Sequence, residues 1–165
     1  MNKESNLKWD LLVSILDYNP ETGEFIRKVS RGNRKAGDAV GYKTNHGYVR
    51  VKVNRQYFMA HRLAWFYVHN AWPEADLDHI NGKRDDNRIV NLRVATRSQN
   101  IQNLRGARKD SKSGILGVDL LENGKWRAQI QIDGVKSVLG YYNTPEEASN
   151  VYLTKKREIH EYSML

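Results

Sequence analysis

The chain has 165 residues, enough for one large domain or two small ones, and no cysteine, which excludes a disulfide framework and cysteine-ligated zinc. Its 27 Lys and Arg against 19 Asp and Glu give a formal charge of +8, which favours a polyanionic partner. The N-terminal MNKESNLKWD lacks the apolar core of a signal peptide and no apolar run reaches membrane-spanning length, so a soluble protein is expected.

In chain order, Leu7, Leu11, Leu12, Ile15 and Leu16 recur at helical spacing and predict a helix over 7–17 that stops before Asn19-Pro20. Asn19 to Gly23 reads as a turn and Glu24 to Arg27 as a short strand. Gly32, Gly37, Gly41 and Gly47 punctuate a loop region around a short strand at 39–43. Tyr48 to Val53 alternates, with Val49, Val51 and Val53 on one face. Tyr48, Arg50 and Lys52 take the other face, which is either solvated or turned toward a nucleic acid. Asn54-Arg55 makes a tight turn into a paired strand, Gln56 to Met59. Residues 60–69 form a helix whose aromatic residues belong to a core; His61 near its start reads as packing or phosphate-contacting. The positive charge is concentrated here: from Arg27 to Arg62 ten basic residues stand against the single acid Asp38, whereas beyond Gly106 the two signs nearly cancel.

Leu77 to Ile80 predicts a short strand, followed by a polar loop with Asn81, Gly82, Asp85, Asp86 and Asn87, and then a helix beginning at or lying within 98–103. Residues 104–113 lose all apolar periodicity, which suits a linker. Strands are expected over 117–121, 125–132 and 136–142, joined by turns at Glu122-Asn123-Gly124 and Asp133-Gly134. Thr144-Pro145-Glu146-Glu147 then caps a helix, with Thr at the N-cap and Pro at the first helical position.

The stretch from Leu77 to Asn103 holds more carboxylate, amide and imidazole than a core segment needs. Phosphodiester hydrolysis requires a base to deprotonate water, a hard cation to stabilise charge on the phosphate and the leaving oxygen, and a means of orienting the base. Histidine titrates near neutral pH and suits the base. A Mg²⁺-like ion prefers oxygen donors and keeps several waters. Adjacent residues on a strand point to opposite faces, so Asp78 and His79 can take the two roles separately. Asp85, Asp86 and Asn87 look acidic enough for a metal cage, but their loop position favours turn chemistry and solvation. His46, His69 and His160 have no partners in the sequence and are expected at the surface.

Residues 60–103, with AHRLAWFYVHN and DHINGKRDDNRIVNLRVATRSQN, resemble the HNH, or ββα-metal, nuclease motif, in the phage homing-endonuclease variant whose last motif residue is Asn. The resemblance implies Asp78 as first metal ligand, His79 as general base, Asn91 as the residue bracing the loop and orienting the histidine, and Asn100 as second metal ligand. His79 to Asn91 spans twelve residues and Asp78 to Asn100 twenty-two, as the family pattern has them. Asn103 is a further candidate for a ligand or phosphate contact. One divalent ion is implied, Mg²⁺ with Mn²⁺ as alternative, and no small-molecule cofactor. Residues 18–62 resemble the N-terminal part that phage HNH proteins carry; its basic residues, Arg50, Lys52 and Arg62 among them, would contact phosphates.

Residues 114–160 resemble the APETALA/ERF DNA-binding domain, through Gly114 to Val118, Gly124 to Ile130, Leu139 to Tyr142 and Thr144 to Ala148. The resemblance implies a three-stranded sheet read into the major groove with a helix behind it. Alternation sets Trp126, Ala128, Ile130 and Ile132 on one face and Arg127, Gln129 and Gln131 on the other; Arg and Gln read guanine and adenine edges. Lys125 and Trp126 join the candidate contacts, although Trp126 could face either way. Leu116, Asp119 and Leu121 stand where the plant pattern has arginines, and Asp119 would repel phosphate.

The expected fold is α+β: a nuclease domain over 1–105, a linker over 106–113, and over 114–165 a small three-stranded antiparallel sheet packed on one helix. The expected function is metal-dependent cleavage of double-stranded DNA, by a monomer or homodimer, in the cytoplasm of a phage-infected bacterium. The competing reading is a sequence-specific DNA-binding protein, repressor-like, that does not cut.

Overall fold

The computed structural model describes residues 4, 6–96, 99, 100, 103, 104, 106, 107, 110–132 and 134–159. Ser98 of the expected 98–103 helix, Asp133 of the expected Asp133-Gly134 turn, the side chain of Ile132, and His160 lie outside what is described. The chain is mixed α and β, built from α-helices and small antiparallel sheets, in two compact units, Met1–Ala95 and Thr96–Leu165. That division falls upstream of the expected boundary at 105. Among the described residues no helix is long and apolar enough to cross a membrane.

In the first unit, helix α1 (Trp9–Ile15) is shorter than its apolar spacing predicts. Leu16 turns to extended geometry (φ −127°, ψ 146°) because Leu16–Tyr18 is needed as strand β1, paired with β2 (Phe25–Arg27). The expected strand at 39–43 is two, β3 (Ala39–Val40) and β4 (Tyr42–Lys43). They part at Gly41, whose φ of 138° and closeness to Val49 leave no room for a side chain: a Cβ there would stand 2.9 Å from Val49 Cγ1. β3 extends the β1–β2 sheet, while β4 pairs with β5 (Val49–Val53), which pairs with β6 (Gln56–Met59). Asn54 and Arg55, both at positive φ, make the tight β5–β6 turn.

Helix α2 (Ala60–His69) leaves β6 without a loop and ends at Asn70 in the left-handed region, whose N–H bonds Phe66 O. Its buried face, Ala60, Leu63, Ala64 and Phe66, meets Leu12, Leu16, Phe25, Val51, Val53 and Phe58 in one core. Trp72 covers the end of that core, stacked 4.3 Å from Phe66 at 5°. The expected strand at 77–80 is β7 (Asp76–His79), and its partner β8 (Leu92–Ala95) has no counterpart in the sequence expectation. Four residues are too few to display a period, and β8 exists by pairing with β7.

In the second unit, β9 (Val118–Leu120), β10 (Trp126–Ile132) and β11 (Val135–Tyr142) form a sheet in the order β11-β10-β9. Helix α3 (Pro145–Ile159) packs on it through Ala148 and Tyr152, against Val118, Ala128 and Ile130. The reciprocal cap is present: Glu147 N–H bonds Thr144 Oγ1 and Thr144 N–H bonds Glu147 Oε2. A second such cap opens the helical residues Gln99 and Asn100, with Thr96 and Gln99 bonding each other's N–H groups. Gly117 is required by close packing, since a Cβ would enter the Tyr152 ring at 2.1 Å.

Candidate active site

Asp78 and His79 are the last two residues of β7 and point to opposite faces, as their adjacency predicts. Asp78 lies opposite Arg93 of β8, and its Oδ2 accepts from Arg93 Nε at 3.0 Å and Nη2 at 2.8 Å. His79 is buried, 5% exposed. Its ring meets His61 edge-on at 5.0 Å and 76°, and lies 6.0 Å from Tyr48. His79 Nε2 stands 3.5 Å from Asn87 Oδ1, at the outer limit of a hydrogen bond. The Asn87 amide is oriented because its Nδ2 donates to Asp85 O at 3.1 Å, so its oxygen is the end turned to the imidazole. An amide oxygen there suits the tautomer with a proton on Nε2. Burial pushes the His79 pKa below its ordinary value, outweighing Asn87 and the nearby Asp78 and Asp86, which pull it up. The ring is therefore neutral, and able to act as a base, at neutral pH.

The loop from Ile80 to Asn91 is closed by its own polar groups. Ile80 N–H bonds Asn91 O at 2.9 Å. Asn91 Oδ1 accepts from Asn81 N–H at 3.0 Å and its Nδ2 donates to Asp86 O at 2.8 Å, so Asn91 braces the loop. Asp86 accepts from Arg88 through both oxygens and from Asn81 Nδ2 at 2.6 Å, and Arg88 above all holds its carboxyl down to about 2. Asp85 pairs with Lys43 at 2.7 Å. The two acids belong to turn chemistry, as expected. Asn87 does not: it is 3% exposed, its carbonyl takes the Tyr18 hydroxyl at 2.7 Å, and its amide faces His79.

Two residues near His79 were hidden in the sequence. Asn87 looked like a solvated loop residue, and only the return of the chain past Tyr18 buries it. Tyr48 was assigned to the face with Arg50 and Lys52, but it precedes β5, is half-buried and packs on His61 and His79. His61 is buried, and its Nδ1 has no hydrogen-bond partner among the described residues. Burial, then the neighbouring His79 and Arg62, push its pKa down to about 3. A polar residue at the buried start of an apolar helix was the available signal.

Asn100 is helical in the second unit, its N–H bonded to Thr96 O at 2.9 Å. Its Oδ1 is buried and has no hydrogen-bond partner among the described residues. A buried amide oxygen left without a donor is the kind of atom that a hard cation takes.

Residues 58–102 match the family model of HNH endonucleases. No curated protein and no solved structure matches the chain. The HNH match covers Asp78, His79, Asn91 and Asn100 and points, at family level, to a nuclease that cleaves DNA. Among the described residues no three His, Cys, Asp or Glu side chains gather to hold a metal, so an ion at the HNH segment would depend on oxygen donors such as Asp and Asn.

The expected DNA contacts fare differently from one another. Arg50 and Lys52 are exposed on the outer face of the β4–β5–β6 sheet, with Lys52 5.1 Å from the Tyr57 ring centre. Arg62 is engaged internally: it forks onto Glu4 at 2.5 and 2.8 Å and donates to Ala75 O, so it tethers the N-terminal segment to α2 and is withdrawn from a phosphate role. In the second unit Trp126 packs against the core, which resolves its facing toward the helix side. Arg127 and Gln129 both donate to Asp119 Oδ2, at 2.8 and 2.5 Å, so the acid expected to repel phosphate also occupies two base-reading side chains. Lys125 and Gln131 are exposed.

Proposed function

We propose that the chain is a metal-dependent DNA endonuclease of the phage homing type, acting in the cytoplasm of the infected host as a monomer or homodimer. The observation that carries it is the buried His79, its Nε2 turned to an oriented Asn87 amide and its neighbour Asp78 on the opposite face, within the HNH match. His79 takes the proton from the attacking water, Asn87 and His61 hold the ring, and Asn91 holds the loop that carries Asn87.

Of the two residues that the HNH resemblance implies as ligands, Asp78 offers a carboxylate and Asn100 a buried amide oxygen without a hydrogen-bond partner among the described residues, each the kind of donor a hard divalent ion, Mg²⁺ or Mn²⁺, prefers. When bound, such an ion offsets charge on the phosphate and on the leaving oxygen. Arg50 and Lys52 contact the duplex backbone. The second unit is an APETALA/ERF-like module whose exposed Lys125 and Gln131 contact DNA, with Arg127 and Gln129 available once Asp119 gives them up.

The Arg93 fork on Asp78 favours a second reading, since it satisfies that carboxylate without a cation and suits a DNA-binding protein that does not cut. Supercoiled plasmid incubated with Mg²⁺ or Mn²⁺ separates the two. The nuclease nicks it, His79→Ala removes the activity without unfolding the chain, and EDTA abolishes it. Folded wild-type protein that binds DNA yet cuts none would establish the second reading.

A further inference from the structure

A cleft of about 700 Å³ opens beside the candidate base. Lys43, His46, Tyr48, Arg50 and Arg84 are part of its lining, and among the described residues no acid lines it. Tyr48 is shared between the cleft and the buried site: it lines the first and packs on the rings of His79 and His61 at 6.0 and 5.5 Å. The cleft is thus one aromatic ring away from His79. Arg84 is fixed at its rim, the guanidinium 5.0 Å from the Tyr48 ring centre and Nη1 bonded to His46 O at 3.0 Å. A guanidinium has five N–H donors, so this anchoring leaves most of its capacity for a ligand. Lys43 also lines the cleft and makes an exposed pair with Asp85, the residue after Arg84, which a phosphate can replace at little cost. Arg50 and Tyr42 line this cleft and also a neighbouring one, where Arg27, Arg34 and Lys52 outnumber the single acid Asp38, so a predominantly basic lining continues past the cleft.

We propose that this cleft seats the phosphodiester backbone of duplex DNA flanking the His79 site, with Lys43 and Arg84 as phosphate contacts and Tyr48 shared between the cleft lining and the packing of the His79 ring. The assignment rests on the reading of DNA as the substrate. It adds Lys43 and Arg84 as contacts and gives Tyr48, which the sequence sets on a face either solvated or turned toward a nucleic acid, a place in the cleft lining. An excess of basic lining, an Arg84 side chain held by His46 O and the Tyr48 ring, and a basic lining that runs on past the cleft suit an extended polyanion better than a small anion.

The test is binding without cutting. A fluorescein-labelled duplex is titrated with the full chain in EDTA over a series of salt concentrations, read by anisotropy. The Lys43→Gln/Arg84→Gln double variant is expected to bind at least about tenfold more weakly and to lower the slope of log K against log salt by about two, roughly one unit per lost phosphate contact. A charge-matched control, Lys8→Gln/Lys28→Gln, lies outside the cleft and keeps the slope. Arg84→Lys, which keeps the charge, recovers part of the affinity lost in Arg84→Gln, and an unchanged melting temperature shows that the variants fold. An unchanged slope in the cleft variant, an equal loss in the control, or tighter binding to duplex RNA of the same sequence would each overturn the proposal. Wild-type protein that shows the expected binding and slope but never nicks plasmid removes the nuclease reading and supports the cleft.

Discussion

Replacing His61 by Phe is expected to make the protein more stable at pH 7 and less sensitive to acid. His61 is 7% exposed and its pKa is pushed from the ordinary 6.5 down to about 3, first by burial. The unfolded chain binds its proton near 6.5, so between the two values it holds about one proton more than the folded state. Stability therefore falls as pH falls through this window, by about 1.4 kcal/mol per pH unit, or about 2 kcal/mol from pH 6.5 to pH 5. His79 is shifted in the same direction, so wild type loses more than this and the variant keeps only the His79 share. The carboxylates act lower: Asp86, held at about 2 against the ordinary 3.8, loses its stabilising effect as pH falls from about 4 to about 2. At pH 7 the substitution removes a buried Nδ1 that has no partner among the described residues, a gain of about 1 kcal/mol. Urea unfolding at pH 7, 6 and 5, followed by fluorescence of Trp9, Trp65 and Trp72 in the first core, reads both effects. A variant no more stable than wild type at pH 7, with the same loss on going to pH 5, would refute the reasoning. With the edge contact to His79 altered, the more stable variant should also nick plasmid more slowly.

Gly23→Ala should destabilise the first unit by about 2 kcal/mol or more, because its φ is +77° and a Cβ would stand 2.5 Å from Arg88 N and 2.6 Å from Asn87 C. Gly124→Ala, at φ +78° with nothing within 4 Å, should show only the backbone part of that cost, and chemical denaturation compares the two. Since the clash falls on the backbone of Asn87, Gly23→Ala should also lower cleavage in the plasmid assay. Arg55→Gly should stabilise by about 1 kcal/mol, because Arg55 sits at φ +68° in the β5–β6 turn, and an unchanged or lower urea midpoint would contradict that. Asp119→Asn should release Arg127 from its ion pair and strengthen duplex binding with a steeper salt dependence; anisotropy with the full chain checks it.

The two acidic residues before Asn87 show how the site divides its work. Asp85 pairs with Lys43 and Asp86 with Arg88 and Asn81, so both carboxylates are engaged within turn chemistry. The loop presents Asn87 to His79, and Gly23 supports Asn87 from behind by letting the Asn19–Gly23 turn press against its backbone.

The sequence by itself determined the local elements whose signal is periodic or chemically specific. Helix α2 runs over the predicted residues, Val51 and Val53 are buried while Arg50 and Lys52 are not, and Thr144 and Glu147 form the predicted cap, because pleat, helical period and capping act between neighbours in the chain. It also displayed the HNH segment, since the order and spacing of Asp78, His79, Asn91 and Asn100 are one-dimensional properties. Only the tertiary structure decided which side chains surround His79. His61, Tyr48 and Asn87 come from a helix start, a strand edge and a loop, and their rings and amide meet because the core of the first unit brings those three ends together. It likewise decided that Arg62 and Arg127, cationic in any reading of the sequence, are engaged by Glu4 and Asp119. A charge announces itself in sequence, whereas its partner is chosen by folding, eight residues away for Arg127 and 58 for Arg62.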